Sequence, residues 1–432
     1  MDIIKKIIII SVRISRVVAM ICIPCIIIAV LFVWINYRKE LSLAMFIRGQ
    51  GEVNYLVIFQ NTLELRPTGG FIGNFAEVTL DNGMLKDYTI YNTNVFDYGK
   101  PGIDAPEPYK NMLGLQQMQL RDANWAPNFP TTAKQIIDLY ELEGGTKDIS
   151  GVIAVNASIL PEILKIIGPV SIEAIDKELN HNNVLLDLQY ELNFGFIEKG
   201  ISRSARKEPI KDLAFEIYNR INKSSIVTLT MLADMLIQQT NQKQIMLWSN
   251  NPDVQSNIVS LGWDGGIDID TQKDYLKLVD ANLGSLKTDY YMKRAIKKDI
   301  RECDNDKICS TVTISYNNTA KESTPLNTDY KSYTRVLLPQ NAFVNSITGI
   351  DKFNSKVDYS TAYNKKIAGF QILVPVNTTN DIIIDYTIPK LEQYGLDIQK
   401  QSGIDGFDFI LENKINNTQI SEFIQTDKNF NY

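Results

Sequence analysis

"ISGVIAVNASILPEILKIIGPVSI", Ile149 to Ile172, changes its hydrophobic period twice. "GVIAV" is a short apolar, β-branched run of the kind that fills a buried strand. "SILPEILKIIG" then repeats apolar residues at helical spacing, with Leu160, Ile163, Leu164 and Ile167 on one face and Gly168 where a C-terminal cap belongs. "PVSI" returns to strand. Strand, helix and strand in one stretch predict an α/β domain built around one mixed sheet with flanking helices.

The flanks repeat the pattern. "NYLVIFQ" reads as a buried strand, and "FAEVTLDNGMLKDYTIYN" as a hairpin that turns at Asn82-Gly83. "VFDYGKPGIDAPEPYKNMLGL" is rich in Pro and Gly and reads as a loop or flap. "NFPTTAKQIIDLYEL" opens at Pro130 and Thr131 and places Ala133, Ile136, Ile137 and Tyr140 on one helical face. "RKEPIKDLAFEIYNRI" starts a further helix near Pro209 with Ile210, Leu213, Ala214, Ile217 and Ile221 inward. "SIVTLTMLADMLIQQTNQ" continues as helix and "KQIMLWS" as strand. From about Ala295 to Ile410 the pattern changes to short strand-like runs between polar turns, which predicts an all-β, sandwich-like domain.

Residues 17–35, "VVAMICIPCIIIAVLFVWI", carry no charge and are long enough, at about 1.5 Å per helical residue, to cross a bilayer. Lys5, Lys6, Arg13 and Arg16 precede them, and Trp34 and Tyr37 follow at interfacial height. The run reads as an uncleaved signal anchor with a cytoplasmic N-terminus. The expected organisation is therefore 1–16 cytoplasmic, 17–35 spanning, 36–49 juxtamembrane linker, 50–294 extracytoplasmic α/β domain, 295–420 sandwich-like domain and 421–432 a fraying tail. The implied location is the cell membrane, crossed once, with most of the chain outside the cytoplasm.

Residues 1–39 hold six of the 44 Lys and Arg and one of the 50 Asp and Glu, which leaves residues 40–432 with a formal charge of −11. Such a surface has no general attraction for nucleic acid. An anionic ligand must be held by a local basic cluster or through a metal ion, so the position of each arginine is informative.

Two clusters stand out. In "ELRPTGG", a Gly69-Gly70 turn can expose backbone amides to an anion beside Arg66, whose planar fork suits phosphate; Arg66 can equally pair with Glu64 and fix the turn. In "GISRSARKEPI", Arg203, Arg206 and Lys207 precede a helix N-terminus, another favourable place for an anion, although a solvated loop has the same composition. Asp97 and Asp122 are the candidate magnesium ligands, since that ion needs only one or two carboxylates beside phosphate oxygens. Trp125 with Phe129 reads as cover for the core. His181, the single histidine, lies in the polar turn "LNHNNV", which excludes a histidine-based triad or His-rich metal site. Cys303 and Cys309 frame "CDNDKIC" and are either a hairpin-closing disulfide or two half-buried thiols, because sequence does not fix their separation. Cys22 and Cys25 fall inside the apolar run, where packing is the simpler role.

Five stretches, "YLVIFQNTLELRPTGGFIGNFAEVTLDNG", "RDANWAPNFPTTAKQIIDLYE", "DISGVIAVN", "DANLGSLKTDYY" and "YGLDIQKQSG", closely resemble, in order and over nearly the whole chain, the bacterial family called domain of unknown function 4012. More distantly, the order of elements looks like the LytR-CpsA-Psr family. That resemblance implies a membrane-anchored, extracytoplasmic phosphotransferase that moves glycopolymers from a polyprenyl pyrophosphate carrier to peptidoglycan, with arginines on the pyrophosphate and a carboxylate-bound magnesium. By position, Arg66 matches the arginine of that family's Arg-Ser-Asp-Thr motif, and Arg203 with Arg206 matches its later arginine pair. Thr68 stands where the motif has aspartate, and "YNTNVFD" lacks the arginine of the second motif, which leaves Asp97 as the replacement carboxylate.

Two functions follow as expectations. One is binding, and transfer, of a polyprenyl-linked glycopolymer, with Arg66 and Asp97 catalytic, Arg66, Gly69, Gly70, Arg203, Arg206 and Lys207 on the substrate, and Asp97 and Asp122 on magnesium. The other is a non-catalytic envelope protein that binds glycan or a protein partner.

Overall fold

The computed structural model describes residues 51–431 apart from 203–204, 270–271, 304–305 and 351–355. The expected span at 17–35, Cys22, Cys25 and Arg203 lie outside the described residues. Among those described, no helix is long and apolar enough to cross a membrane. Val53–Thr79 and Lys86–Tyr432 form one compact unit, and Leu80–Leu85, the tip of the first hairpin, groups outside it.

The fold is mixed α/β with a β-rich C-terminal half. Strands β1 (Glu52–Arg66), β2 (Gly69–Asp81), β3 (Met84–Asn92), β4 (Gly151–Asn156) and β5 (Ile245–Ser249) make a five-stranded sheet in the order β3-β2-β1-β4-β5. β1 runs parallel to β4, and β4 antiparallel to β5, so the sheet is mixed. The turn between β2 and β3 has both Asn82 and Gly83 at positive φ, 50° and 80°, as the Asn-Gly pair predicts.

One sheet face is closed by helix α2 (Phe129–Leu142; α1 is Glu107–Leu113). Ala133, Ile136 and Tyr140 of α2 join Leu56, Ile58, Phe75, Val152 and Trp248 in one core. Phe75 and Tyr140 meet edge-on with ring centroids 6.1 Å apart. Helices α3 (Ile159–Ile167), α4 (Val184–Tyr190) and α5 (Glu208–Asn222) form a second, smaller core around Leu164, Val170, Leu188 and Leu213. Helices α6 (Ile226–Asn241) and α7 (Pro252–Ser260) complete this half. The stretch expected as a flap is more ordered than its Pro and Gly content implies. It contains α1, which Gly114 ends at φ 70°, and it starts within the single turn Thr93–Phe96, which Asn92 caps just before it.

The C-terminal half is two six-stranded sheets. One has the order β11-β12-β9-β6-β14-β17 and the other β10-β13-β8-β7-β15-β16. Their strands are β6 (Asp274–Asn282), β7 (Met292–Cys303), β8 (Lys307–Asn318), β9 (Tyr330–Pro339), β10 (Phe343–Thr348), β11 (Asp358–Ala362), β12 (Lys365–Val374), β13 (Thr378–Pro389), β14 (Gly395–Ile398), β15 (Phe407–Asn413), β16 (Thr418–Ile424) and β17 (Lys428–Asn431). Strand alternation explains the arrangement: in β8 Ile308, Val312, Ile314 and Tyr316 point inward and meet Leu276, Phe370, Ile384 and Phe409 from both sheets.

The sandwich is longer than its sequence signal. It begins at Asp274, within the range expected to be α/β, and ends at Asn431, so the expected tail is strand β16 continuing into strand β17. β6 was hard to read because Asp274, Lys277 and Asp280 interrupt its apolar run, yet all three are buried. Cys303 and Cys309 are joined, with Cα atoms 5.7 Å apart, at the end of the β7–β8 hairpin. His181 is exposed in its turn.

Candidate functional site

A cavity of about 440 Å³ opens between the sheet and helices α3, α4 and α5. Its walls are mainly apolar: Phe59 and Phe71 from the sheet, Leu160 and Ile163 from α3, Leu188 from α4, and Ile210, Leu213, Ala214, Ile217 and Ile221 from α5. These five α5 residues are the face that periodicity marks as inward; all line the cavity, and all but the exposed Ala214 also pack in the small core. Arg206, Lys207 and Lys287 also line it, beside Asn61, Asn74, Asn94 and Asn156. The result is an apolar trough carrying three cations and a set of neutral hydrogen-bonding side chains.

Electrostatics mark the basic end. Burial, then the neighbouring Arg206 and Lys287, push Lys207 down to about 7, with Asp97 opposing them. Lys207 donates to the Gly73 carbonyl. Crowded, poorly hydrated cations of this kind favour an anion between them. Lys287 is held in place by Glu64, whose Oε2 accepts from Nζ at 2.6 Å.

Arg66 is elsewhere. It is 2% exposed, pairs with Glu64 Oε1 at 2.9 Å, and donates to the carbonyls of Leu65, at 3.2 Å, and Asn282. Its own carbonyl accepts from Gln401 Nε2 at 3.0 Å, and Leu65 N–H donates to Asp289 Oδ2 at 3.0 Å. The turn amide offered to an anion is also occupied: Gly70 N–H donates to Gln60 Oε1 at 3.2 Å. A Cβ on Gly70 would fall 2.0 Å from the Asn61 backbone, so the glycine serves a close strand approach. Of the two roles open to Arg66, the geometry displays the ion pair with Glu64. Arg66 is not on the cavity wall with Arg206 and Lys207.

Asp97 and Asp122 come together with a residue that sequence did not single out, Glu143 at the end of α2. The Asp97 and Glu143 carboxyls act on each other's ionisation, and Asp97 Oδ1 and Glu143 Oε2 are both buried without a hydrogen-bond partner among the described residues. Glu143 also accepts from Leu120 N–H at 2.8 Å. Burial, followed by Asp97, pushes Glu143 up to about 8; burial also raises Asp97 and Asp122. Arg121 Nε lies 3.7 Å from Asp97 Oδ2 and 3.6 Å from Asp122 Oδ2. Arg121 therefore lies against buried carboxyls, with Asp97 at 0% exposure. No group of three or more His, Cys, Asp or Glu among the described residues is placed to hold a metal ion. Trp125 covers the core as expected, beneath Arg335 at 4.3 Å from its ring and beside Tyr109.

Residues 50–192 match the family model described as "Protein of unknown function (DUF4012)". The DUF4012 match takes in β1–β4, α2, α3 and α4, hence the sheet floor of the cavity; α5, Arg206 and Lys207 lie beyond it. No curated protein matches the chain. Among solved structures it is similar to the Lin1025 protein from Listeria innocua at 9% identity, over 50% of this chain and 81% of that one, with a TM-score of 0.27. It is also similar to protein gbs0355 from Streptococcus agalactiae at 12% identity, over 53% and 76%, with a TM-score of 0.31. Likenesses at such scores carry no argument.

Two outcomes are expected. Arg66→Met leaves Glu64 with Lys287 alone in a largely buried setting and destabilises the fold by about 3 kcal/mol in urea denaturation, while the folded variant keeps the cavity. Glu143 has a folded pKa above its unfolded value, so its contribution is present below the ordinary carboxylate range and is lost as pH rises to about 8. Glu143→Gln should flatten the stability profile across that window, measured as urea midpoint against pH.

Proposed function

We propose that the α/β half binds a polyprenyl-linked phosphate or pyrophosphate, with the head group against Arg206, Lys207 and Lys287 and the first part of the prenyl chain in the trough. The observation that carries this reading is the pairing of cations with an apolar cavity. An aqueous phosphate metabolite has no use for the trough, and a neutral lipid none for the cations. At about 440 Å³ the cavity falls in the size range of small-ligand sites, about 300–1,000 Å³. A long prenyl chain would extend past it, along the exposed Tyr218 and Phe215 of α5.

Such a ligand lives in a membrane. The apolar run 17–35 supports a single-span, extracytoplasmic envelope protein, which would bring the cavity to the carrier lipid. The LytR-CpsA-Psr likeness supports the further step, transfer of a glycopolymer from the carrier to peptidoglycan. Magnesium belongs to that step. The residues present fit it poorly, because Asp97 is closed off by Glu143 and Arg121, and Asp122 also faces Arg121. A second reading, an envelope protein that binds the lipid-linked glycan without transferring it, is favoured by the same burial of Asp97 and by Thr68 in place of aspartate.

The test is binding of a polyprenyl monophosphate in detergent micelles. Arg206→Ala with Lys207→Met removes charge-assisted hydrogen bonds worth about 1.5–3 kcal/mol each, so affinity should fall at least about tenfold. Ala214→Trp, which fills the mouth from an exposed position, should weaken both the phosphate and the corresponding prenyl alcohol. Wild-type affinity in the double variant would overturn the reading. Release of free carrier from a glycopolymer-loaded lipid, with peptidoglycan and magnesium present, separates transfer from binding alone.

A further inference from the structure

Lys298 and Asp274 form an ion pair in the middle of the sandwich, with Nζ 2.9 Å from Oδ2 and both side chains at 0% exposure. They stand on different sheets, Asp274 on β6 and Lys298 on β7. Around them is the apolar core of Ile296, Ile300 and Leu396. A buried ion pair is seldom a gain in stability over an apolar pair of similar volume, since desolvating both charges offsets their attraction. So dry a place disfavours the charged form of the lysine. Burial indeed pulls the Lys298 ammonium down from its ordinary pKa, against the pull of Asp274.

The donors on Asp274 are divided in a useful way. Oδ1 accepts from the Tyr386 hydroxyl at 2.8 Å and from the Tyr275 N–H at 2.8 Å. Oδ2 accepts from the Tyr394 hydroxyl at 2.8 Å and faces Lys298. The Tyr386 hydroxyl also accepts from Lys298 Nζ, and the ammonium lies 4.5 Å from the centre of its ring. One carboxyl oxygen thus has two donors suited to a developing oxyanion, and the other sits between the nucleophile and a hydroxyl that can relay a proton.

We propose that Lys298 and Asp274 condense spontaneously into an intramolecular amide that bolts the two sheets of the sandwich together. A proton passes from Nζ to Oδ2, and the freed lone pair forms the Nζ–Cγ bond while the carbonyl electrons move onto Oδ1, under Tyr386 and the Tyr275 amide. A second proton leaves nitrogen for Oδ2 by way of the Tyr394 hydroxyl. The Cγ–Oδ2 bond then breaks, Oδ2 departs as water, and the carbonyl re-forms. An ammonium and a carboxylate become an amide and one water, with no change of oxidation state and no co-reactant. Holding the two groups in contact replaces the activation that an amide bond in solution would require. The cross-link is independent of lipid binding, and it suits a domain exposed outside the cell because unfolding no longer separates the sheets.

The test is the intact mass of the purified full chain, reduced and denatured. Closure makes it about 18 Da, one water, lighter than its sequence, and a tryptic digest contains one branched peptide joining the Asp274 and Lys298 segments. Lys298→Met has the full sequence mass. A wild-type chain at full mass overturns the proposal, as does a loss of one water that persists in Lys298→Met.

Discussion

Glu64 sits between two cations that do different work. Its Oε1 takes Arg66 at 2.9 Å and its Oε2 takes Lys287 at 2.6 Å. Burial alone would raise this carboxyl, but Lys287 and then Arg66 hold it below the ordinary glutamate value. Through Arg66 the end of β1 is tied to the Asn282 carbonyl at the end of β6. Through Lys287 the same carboxylate aims an ammonium at the cavity. Around this point Gln401 bridges the carbonyls of Arg66 and Asp280, at 3.0 and 2.8 Å, and Thr68 pairs with Ser402. Three distant stretches, "ELRPTGG", "DANLGSLKTDYY" and "YGLDIQKQSG", therefore meet in one junction between sheet and sandwich.

The basic end of the cavity follows from where its cations are held. Lys287 has Glu64, while Lys207 donates to the Gly73 carbonyl and feels Asp97, a carboxyl that also faces Glu143 and Arg121. In a region of formal charge −11, a pocket whose lining includes Arg206, Lys207 and Lys287 works against the general field. The nearby acidic groups Asp97 and Asp122 instead face Arg121, at 3.7 and 3.6 Å. This arrangement of charge beside apolar walls is what the proposed binding of an anionic head group on an apolar tail draws on.

Much of this was legible. The period changes between Ile149 and Ile172 give β4 and α3 where they are found, and Asn82-Gly83 specifies its turn by requiring positive φ. The inward face of α5 was legible for Ile210, Leu213, Ile217 and Ile221, whereas Ala214 is exposed at the cavity, because periodicity cannot distinguish a face that meets core from one that meets a cavity. The start of β6 was hidden by Asp274, Lys277 and Asp280, because a buried charge reads as surface unless its partner is known, and the partners of Asp280 and Asp274 are Arg294 and Lys298 on the next strand. Arg66 shows the same limit. Its local partner at Glu64 was visible, whereas the Asn282 carbonyl that fixes its role lies far along the chain. Lys287 and Glu143 gave no local signal, being ordinary residues until the fold brings them beside Lys207 and Asp97.

The most direct test of the trough is photo-crosslinking with a polyprenyl phosphate that carries a diazirine on its second or third isoprene unit. Labelling should fall on α3 and α5, at peptides containing Ile163 and Ile217, and should be competed by unlabelled polyprenyl phosphate. Labelling confined to the Arg66 turn or the sandwich, or labelling that the competitor does not reduce, would contradict it.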